Sequence, residues 1–95
     1  MSEPFPAHRR ATIVNRKGLH ARASAKLAKV ASEFDAQVFV SHESEMADAR
    51  SIMDLLMLVA HTGCTVEIKG RGPQAEAAVD AIVRLIEEGF GEDRG

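Results

Sequence analysis

Two stretches of helical period and two of strand period follow one another within 95 residues, and that alternation limits the fold more than any single motif. Ala23, Leu27, Val30 and Phe34 recur 4, 3 and 4 apart, while Lys26, Lys29 and Glu33 fall off that line. The spacing predicts an amphipathic helix from Ala21 to Phe34. Ala75, Val79, Ile82 and Ile86 form a second apolar stripe, with Glu76, Asp80, Arg84 and Glu87 on other faces. Pro73 suits a first helical position, and Gly89-Phe90 resembles a glycine stop with its hydrophobic contact. Strand period shows around Val38 and Val40, within 36–41, and again where Cys64, Val66 and Ile68 alternate with Thr65, Glu67 and Lys69.

The remaining elements fit between these. Ala11 to Val14 read as a first strand, ended by the turn Asn15-Arg16-Lys17-Gly18. Met46 to Ala49 read as a short strand, joined to the one before by the polar stretch Ser41 to Glu45. Ser51-Ile52-Met53-Asp54 fits a capping-box helix start, for a helix through about Leu58. His61-Thr62-Gly63 and Gly70-Arg71-Gly72 read as turns on either side of the last strand. The order strand, helix, strand, strand, helix, strand, helix predicts an α+β domain, helices layered on one face of a mainly antiparallel sheet. Residues 1–9, with two prolines, are expected to be a flexible leader, 10–90 the domain, and 91–95 a frayed tail.

Charge and composition exclude several function classes. The net charge is −2, so a nucleic-acid partner, which calls for a broad basic face, is not expected. The basic residues that do cluster, Arg16 and Lys17 with Arg22 close behind, plus His8-Arg9-Arg10, are a local spot that suits a single phosphate better than a duplex. Cys64 is the one cysteine, which excludes an internal disulfide and fits a reducing compartment. No apolar run resembles a signal peptide, and the longest, Leu55 to Ala60, is far short of the ~20 residues a bilayer requires. A cytoplasmic monomer without membrane attachment is expected. His42, His61 and Cys64 lack metal-ligand spacing, and no glycine-rich nucleotide loop is present, so neither metal nor cofactor is expected.

Chemistry concentrates at Gly18-Leu19-His20-Ala21-Arg22. His20 stands between a glycine turn and a helix start, where unpaired N–H groups and a partial positive charge attract phosphate. Arg22 adds a permanent charge and a fork of donors. An imidazole that is largely neutral near pH 7 offers one ring nitrogen as a nucleophile. A histidine at such a position more often serves only as a helix cap, so these residues alone leave both readings open.

The stretch Gly18-Leu19-His20-Ala21-Arg22-Ala23-Ser24-Ala25 resembles the active-site signature of the HPr family, the histidine-containing phosphocarriers of the bacterial phosphotransferase system. Arg50-Ser51-Ile52-Met53 resembles the family's regulatory serine region, and the likeness spans about residues 10–90. The resemblance implies an open-faced β-sandwich, a four-stranded antiparallel sheet covered on one face by three helices. It implies that His20 is phosphorylated on Nδ1 by enzyme I, which draws on phosphoenolpyruvate, and that Arg22 stabilises the phosphate. The group would pass to an enzyme II A component, in sugar uptake or its regulation. The chain would then be a stoichiometric carrier, not an enzyme, with no cofactor. Many members have proline where this chain has Ala23, which leaves a free N–H in the first helical turn.

Ser51 reads structurally as a helix cap. By the resemblance it is also a regulatory phosphorylation site, served by a serine kinase and phosphatase. The helix it opens is apolar nearly all round, so part of it should face solvent as an interaction surface. The resemblance implies that this surface docks both enzyme I and the acceptor, with Ile52 and Met53, by motif position, as the expected contacts. The alternative function is a regulatory binding module, including the nitrogen-related branch, whose partner binding depends on Ser51 phosphorylation.

Overall fold

The computed structural model describes residues 4–92. Its elements are β1 (Ala7–Thr12), α1 (Ala21–Ser32), β2 (Gln37–His42), β3 (Glu45–Asp48), α2 (Ile52–Met57), β4 (Thr65–Arg71) and α3 (Ala75–Glu87), followed by a 3₁₀ turn at Gly89–Gly91. The four strands form one antiparallel sheet in the order β1-β4-β2-β3. Three helices pack on one side of it, as expected for an open-faced sandwich. Val38, Val40, Ala47, Val66 and Ile68 point into the core from the sheet, to meet Leu27, Leu55, Val79, Ile82 and Ile86 from the helices. Alternate strand positions such as Arg10, Thr65 and Glu67 are left on the open face.

Strand β1 begins four residues before the expected Ala11, and pairs with β4 from Ala7 opposite Gly70 to Thr12 opposite Thr65. His8-Arg9-Arg10 hides the alternation, because Arg9, between buried Ala7 and Ala11, reaches out to Asp80 of α3 at 3.0 Å. Residues Ala7 to Arg9 are therefore strand, not leader. Phe5 rests edge-on against Phe39 with ring centroids 5.5 Å apart, and the Arg71 guanidinium lies 5.2 Å from its centroid. The rest of the expected leader, residues 1–3, lies outside the described residues.

Other boundaries shift for identifiable reasons. Gly70 is in β4, not in a turn, because a Cβ there would come within 2.9 Å of the Val79 side chain; glycine lets α3 close on the sheet. Pro73 precedes α3: the cap position is Gln74, whose side chain instead accepts the Asp35 N–H at 2.6 Å. Ser51 caps α2 by accepting the Asp54 N–H at 3.1 Å. Asp54 does not complete a capping box; its carboxylate accepts from the N–H of Asp48.

The expected frayed tail is fixed as far as Glu92. Gly89, with φ +69°, ends α3, and Phe90 is 1% exposed. Lys26 Nζ donates to the Phe90 carbonyl at 2.7 Å. Burial of one large aromatic side chain supplies the anchor that the tail's polar composition conceals. Residues 93–95 of that expected tail lie outside the described residues.

Candidate functional site

Three backbone contacts set the position of His20. Asn15 accepts the Gly18 N–H at 3.1 Å to close a turn, and Gly18 takes φ +66°. Leu19 donates to the Ala60 carbonyl at 2.9 Å, which binds this loop to the connection after α2. Ser24 N–H donates to the His20 carbonyl at 2.8 Å and starts α1. His20 is thus the N-cap of α1, with extended backbone.

Each ring nitrogen has a distinct environment. Nδ1 faces the helix and accepts the Arg22 backbone N–H at 3.3 Å, a long bond that a better acceptor would displace. Nε2 lies 3.0 and 2.9 Å from the two carboxylate oxygens of Glu92. Asn15, fully buried, donates through Nδ2 to the Gly18 carbonyl at 2.8 Å and to Glu92 Oε1 at 3.1 Å. The His20 hydrogen bond holds the Glu92 carboxyl below the usual carboxylate range; the Asn15 bond and the charges of His20 and Lys26 act the same way, against burial.

Arg16, Lys17, Arg22, Gly91 and Glu92 line a hollow of about 340 Å³. The three cations are exposed, and none forms an ion pair with a described residue. The first-turn N–H groups of α1 have no carbonyl a turn earlier within the helix. An anion at Nδ1 would therefore meet a positive helix end, with the basic hollow close by on the side that Glu92 also borders, while Nε2 faces the carboxylate.

The expected site residues fall into two groups. His20 and Arg22 share the start of α1, and Arg22 and Glu92 border the same hollow. Ser51 stands at the start of α2, its hydroxyl engaged as a cap. Beside it Ile52 is 41% and Met53 67% exposed, and Met57 and Val59 extend the same apolar surface to 72% and 74%. Leu55 and Leu58 are buried, so the apolar helix divides between core and surface.

Glu92 and Asn15 were not legible as site residues. Asn15 reads as an ordinary turn residue. Glu92 lies in a polar tail, where the one signal was Phe90 between two glycines: an aromatic there needs a place to bury, and its docking brings Glu92 with it. The other candidate side chains are engaged elsewhere. His42 Nδ1 donates to the Leu58 carbonyl at 3.3 Å, and His61 and Cys64 approach to 3.6 Å. Among the described residues no three of His, Cys, Asp and Glu are grouped to hold a metal, and no helix is long and apolar enough to cross a membrane.

The chain is similar to known proteins in sequence and in fold. Residues 7–88 match the family model described as the PTS HPr component phosphorylation site. The phosphocarrier protein HPr of Cupriavidus necator is 48% identical over 81 residues, covering 85% of this chain and 91% of the relative. The phosphocarrier protein NPr of Shewanella violacea is 46% identical over 84 residues, covering 88% and 92%. The crystal structure of HPr-C-His from Thermoanaerobacter tengcongensis superposes with a TM-score of 0.86 at 36% identity, covering 90% of this chain and 97% of that one.

Proposed function

The chain belongs to the HPr family, the phosphocarriers of the phosphotransferase system, and from that premise we propose that His20 is its phosphoryl acceptor, charged by enzyme I and discharged to an enzyme II A component. One observation carries the reading: Nδ1 of His20 faces the N-terminus of α1, and Arg22 there joins Arg16 and Lys17 around a hollow that Glu92 also borders, the three cations without ion pairs to described residues.

Transfer needs little machinery in the carrier itself. The Nδ1 lone pair forms a bond to phosphorus as the donor's bond to phosphorus breaks and its electron pair returns to the donor. Positioning and charge stabilisation supply most of the catalysis in such transfers. The Arg22 N–H, released from Nδ1, turns to a phosphate oxygen, and the helix end and Arg22 guanidinium offset the added charge. Alanine at position 23 keeps its N–H as a further first-turn donor. Exposed Ile52, Met53, Met57 and Val59 supply an apolar surface against which both partners dock. The direct test follows labelled phosphate from phosphoenolpyruvate through enzyme I to this chain and on to a panel of enzyme II A components. Label that reaches no acceptor contradicts the relay.

A regulatory reading has its own support, since Ser51 adjoins that apolar surface and caps a positive helix end that tolerates an added phosphate. Capture of a partner by Ser51→Asp, but not by Ser51→Ala, and equally well with His20 replaced, would favour this second function, including one in the nitrogen-related branch. It would require a serine kinase and phosphatase acting on Ser51.

A further inference from the structure

We propose that Glu92 is a positioning residue of the transfer site: its carboxylate holds the His20 ring as the Nε2–H tautomer, keeps Nδ1 free as the nucleophile, and balances the charge the ring gains on phosphorylation. The inference rests on the reading of His20 as the acceptor.

The two bonds of the ring admit one arrangement of a neutral imidazole. Nδ1 accepts a backbone N–H, so it carries no proton. Nε2 faces two carboxylate oxygens at 3.0 and 2.9 Å and must supply the proton between them. Remove the carboxylate, and nothing among the described residues selects which nitrogen is protonated, apart from one long amide bond.

The contact is built, not incidental. Phe90 is buried while its backbone holds φ +56°, between glycines at +69° and +74°. A left-handed conformation on an aromatic residue persists only where its surroundings hold it there. Here they are the Phe90 side chain in the core, the Lys26 bond to its carbonyl, and the Glu92 N–H bond to the Gly89 carbonyl at 2.9 Å. Asn15 then fixes the carboxylate through Oε1 at 3.1 Å. Together they aim Glu92 at the far side of the ring from the helix.

The chemistry gives that placement a use. When the Nδ1 lone pair takes the phosphoryl group, the Nε2 proton stays and the ring becomes a phosphoimidazolium. A carboxylate against Nε2 then faces a cation, while the phosphate on Nδ1 faces the helix end. The same division of labour operates where a carboxylate orients a catalytic or metal-binding histidine and raises its basicity. In the discharge step the electron pair returns to Nδ1 and the ring reverts to the Nε2–H form.

The test uses the full chain, as wild type, Glu92→Gln and Glu92→Ala. Glutamine keeps the shape and an acceptor oxygen and removes only the charge. The ¹⁵N shifts of the resting wild-type His20 ring should show unprotonated Nδ1 and protonated Nε2, and Glu92→Ala should mix the two tautomers. Single-turnover acceptance from phosphorylated enzyme I should slow by about tenfold in Glu92→Gln, with donor affinity unchanged. A wild-type ring protonated at Nδ1, or acceptance by both variants within about twofold of wild type, would overturn the role. A wild type that takes no phosphate contradicts the acceptor reading instead, and the ring shifts still decide the tautomer.

Discussion

The Leu19 N–H donates to the Ala60 carbonyl at 2.9 Å, so the loop that presents His20 is fastened to the chain that leaves α2. Gly18 makes this approach possible. A Cβ at Gly18 would lie 2.7 Å from the Ala60 oxygen and 2.7 Å from His61 Cα, and its φ of +66° already favours glycine. Gly18→Ala should therefore lower stability by about 2 kcal/mol or more in urea unfolding. The displaced loop should also slow phosphoryl acceptance on the order of tenfold.

Val59 holds φ +51° although it is β-branched and 74% exposed. Its side chain gains nothing from the core, so Val59→Gly should relieve the backbone and raise the unfolding free energy by up to about 1 kcal/mol. If the apolar surface docks partners, the same change should weaken binding of enzyme I, by roughly severalfold in calorimetric titration. A variant both less stable and equally well bound would show that neither the strain nor the side chain matters.

Phe90→Ala should cost about 3–5 kcal/mol, because the ring is fully buried and closes the core beneath the tail. Urea unfolding measures the loss. In the folded fraction, the His20 ring resonances should resemble those of Glu92→Ala, since the segment that carries Glu92 loses its anchor.

The depressed pKa of Glu92 has a defined sign. Its contribution to stability is fully present above the ordinary glutamate value of the unfolded chain and is lost as the pH falls through the lower folded value. Proton binding then removes the charge that the carboxyl presents to the His20 ring. A ¹³C titration of the Glu92 carboxyl should have its midpoint below that of an unperturbed glutamate. Glu92→Gln should flatten the acid limb of the stability profile in that window.

Much of this was written in local pattern. The 4-3-4 spacing of Ala23, Leu27, Val30 and Phe34 and the stripe Ala75-Val79-Ile82-Ile86 located two helices, because burial on one face leaves a period. Ala23, Leu27 and the whole second stripe are buried, and Val30 and Phe34 pack at the core's edge. Local pattern misses the start of β1 because Arg9 occupies an inward register position and escapes to Asp80, a contact 71 residues away in sequence. Glu92 stayed hidden for the same reason: its bonds to Asn15 and His20 span 77 and 72 residues. Local period carries no trace of such pairings. The strain at Val59 was invisible too, since it follows from how α2 ends and not from residue type.

The central claim is that His20 carries the phosphoryl group, and labelled phosphoenolpyruvate with enzyme I tests it most directly. The wild type should gain one acid-labile phosphate per chain. His20→Ala should gain none, and neither should His20→Asn, which keeps an acceptor suited to the helix cap. Equal labelling of wild type and both variants would contradict the account.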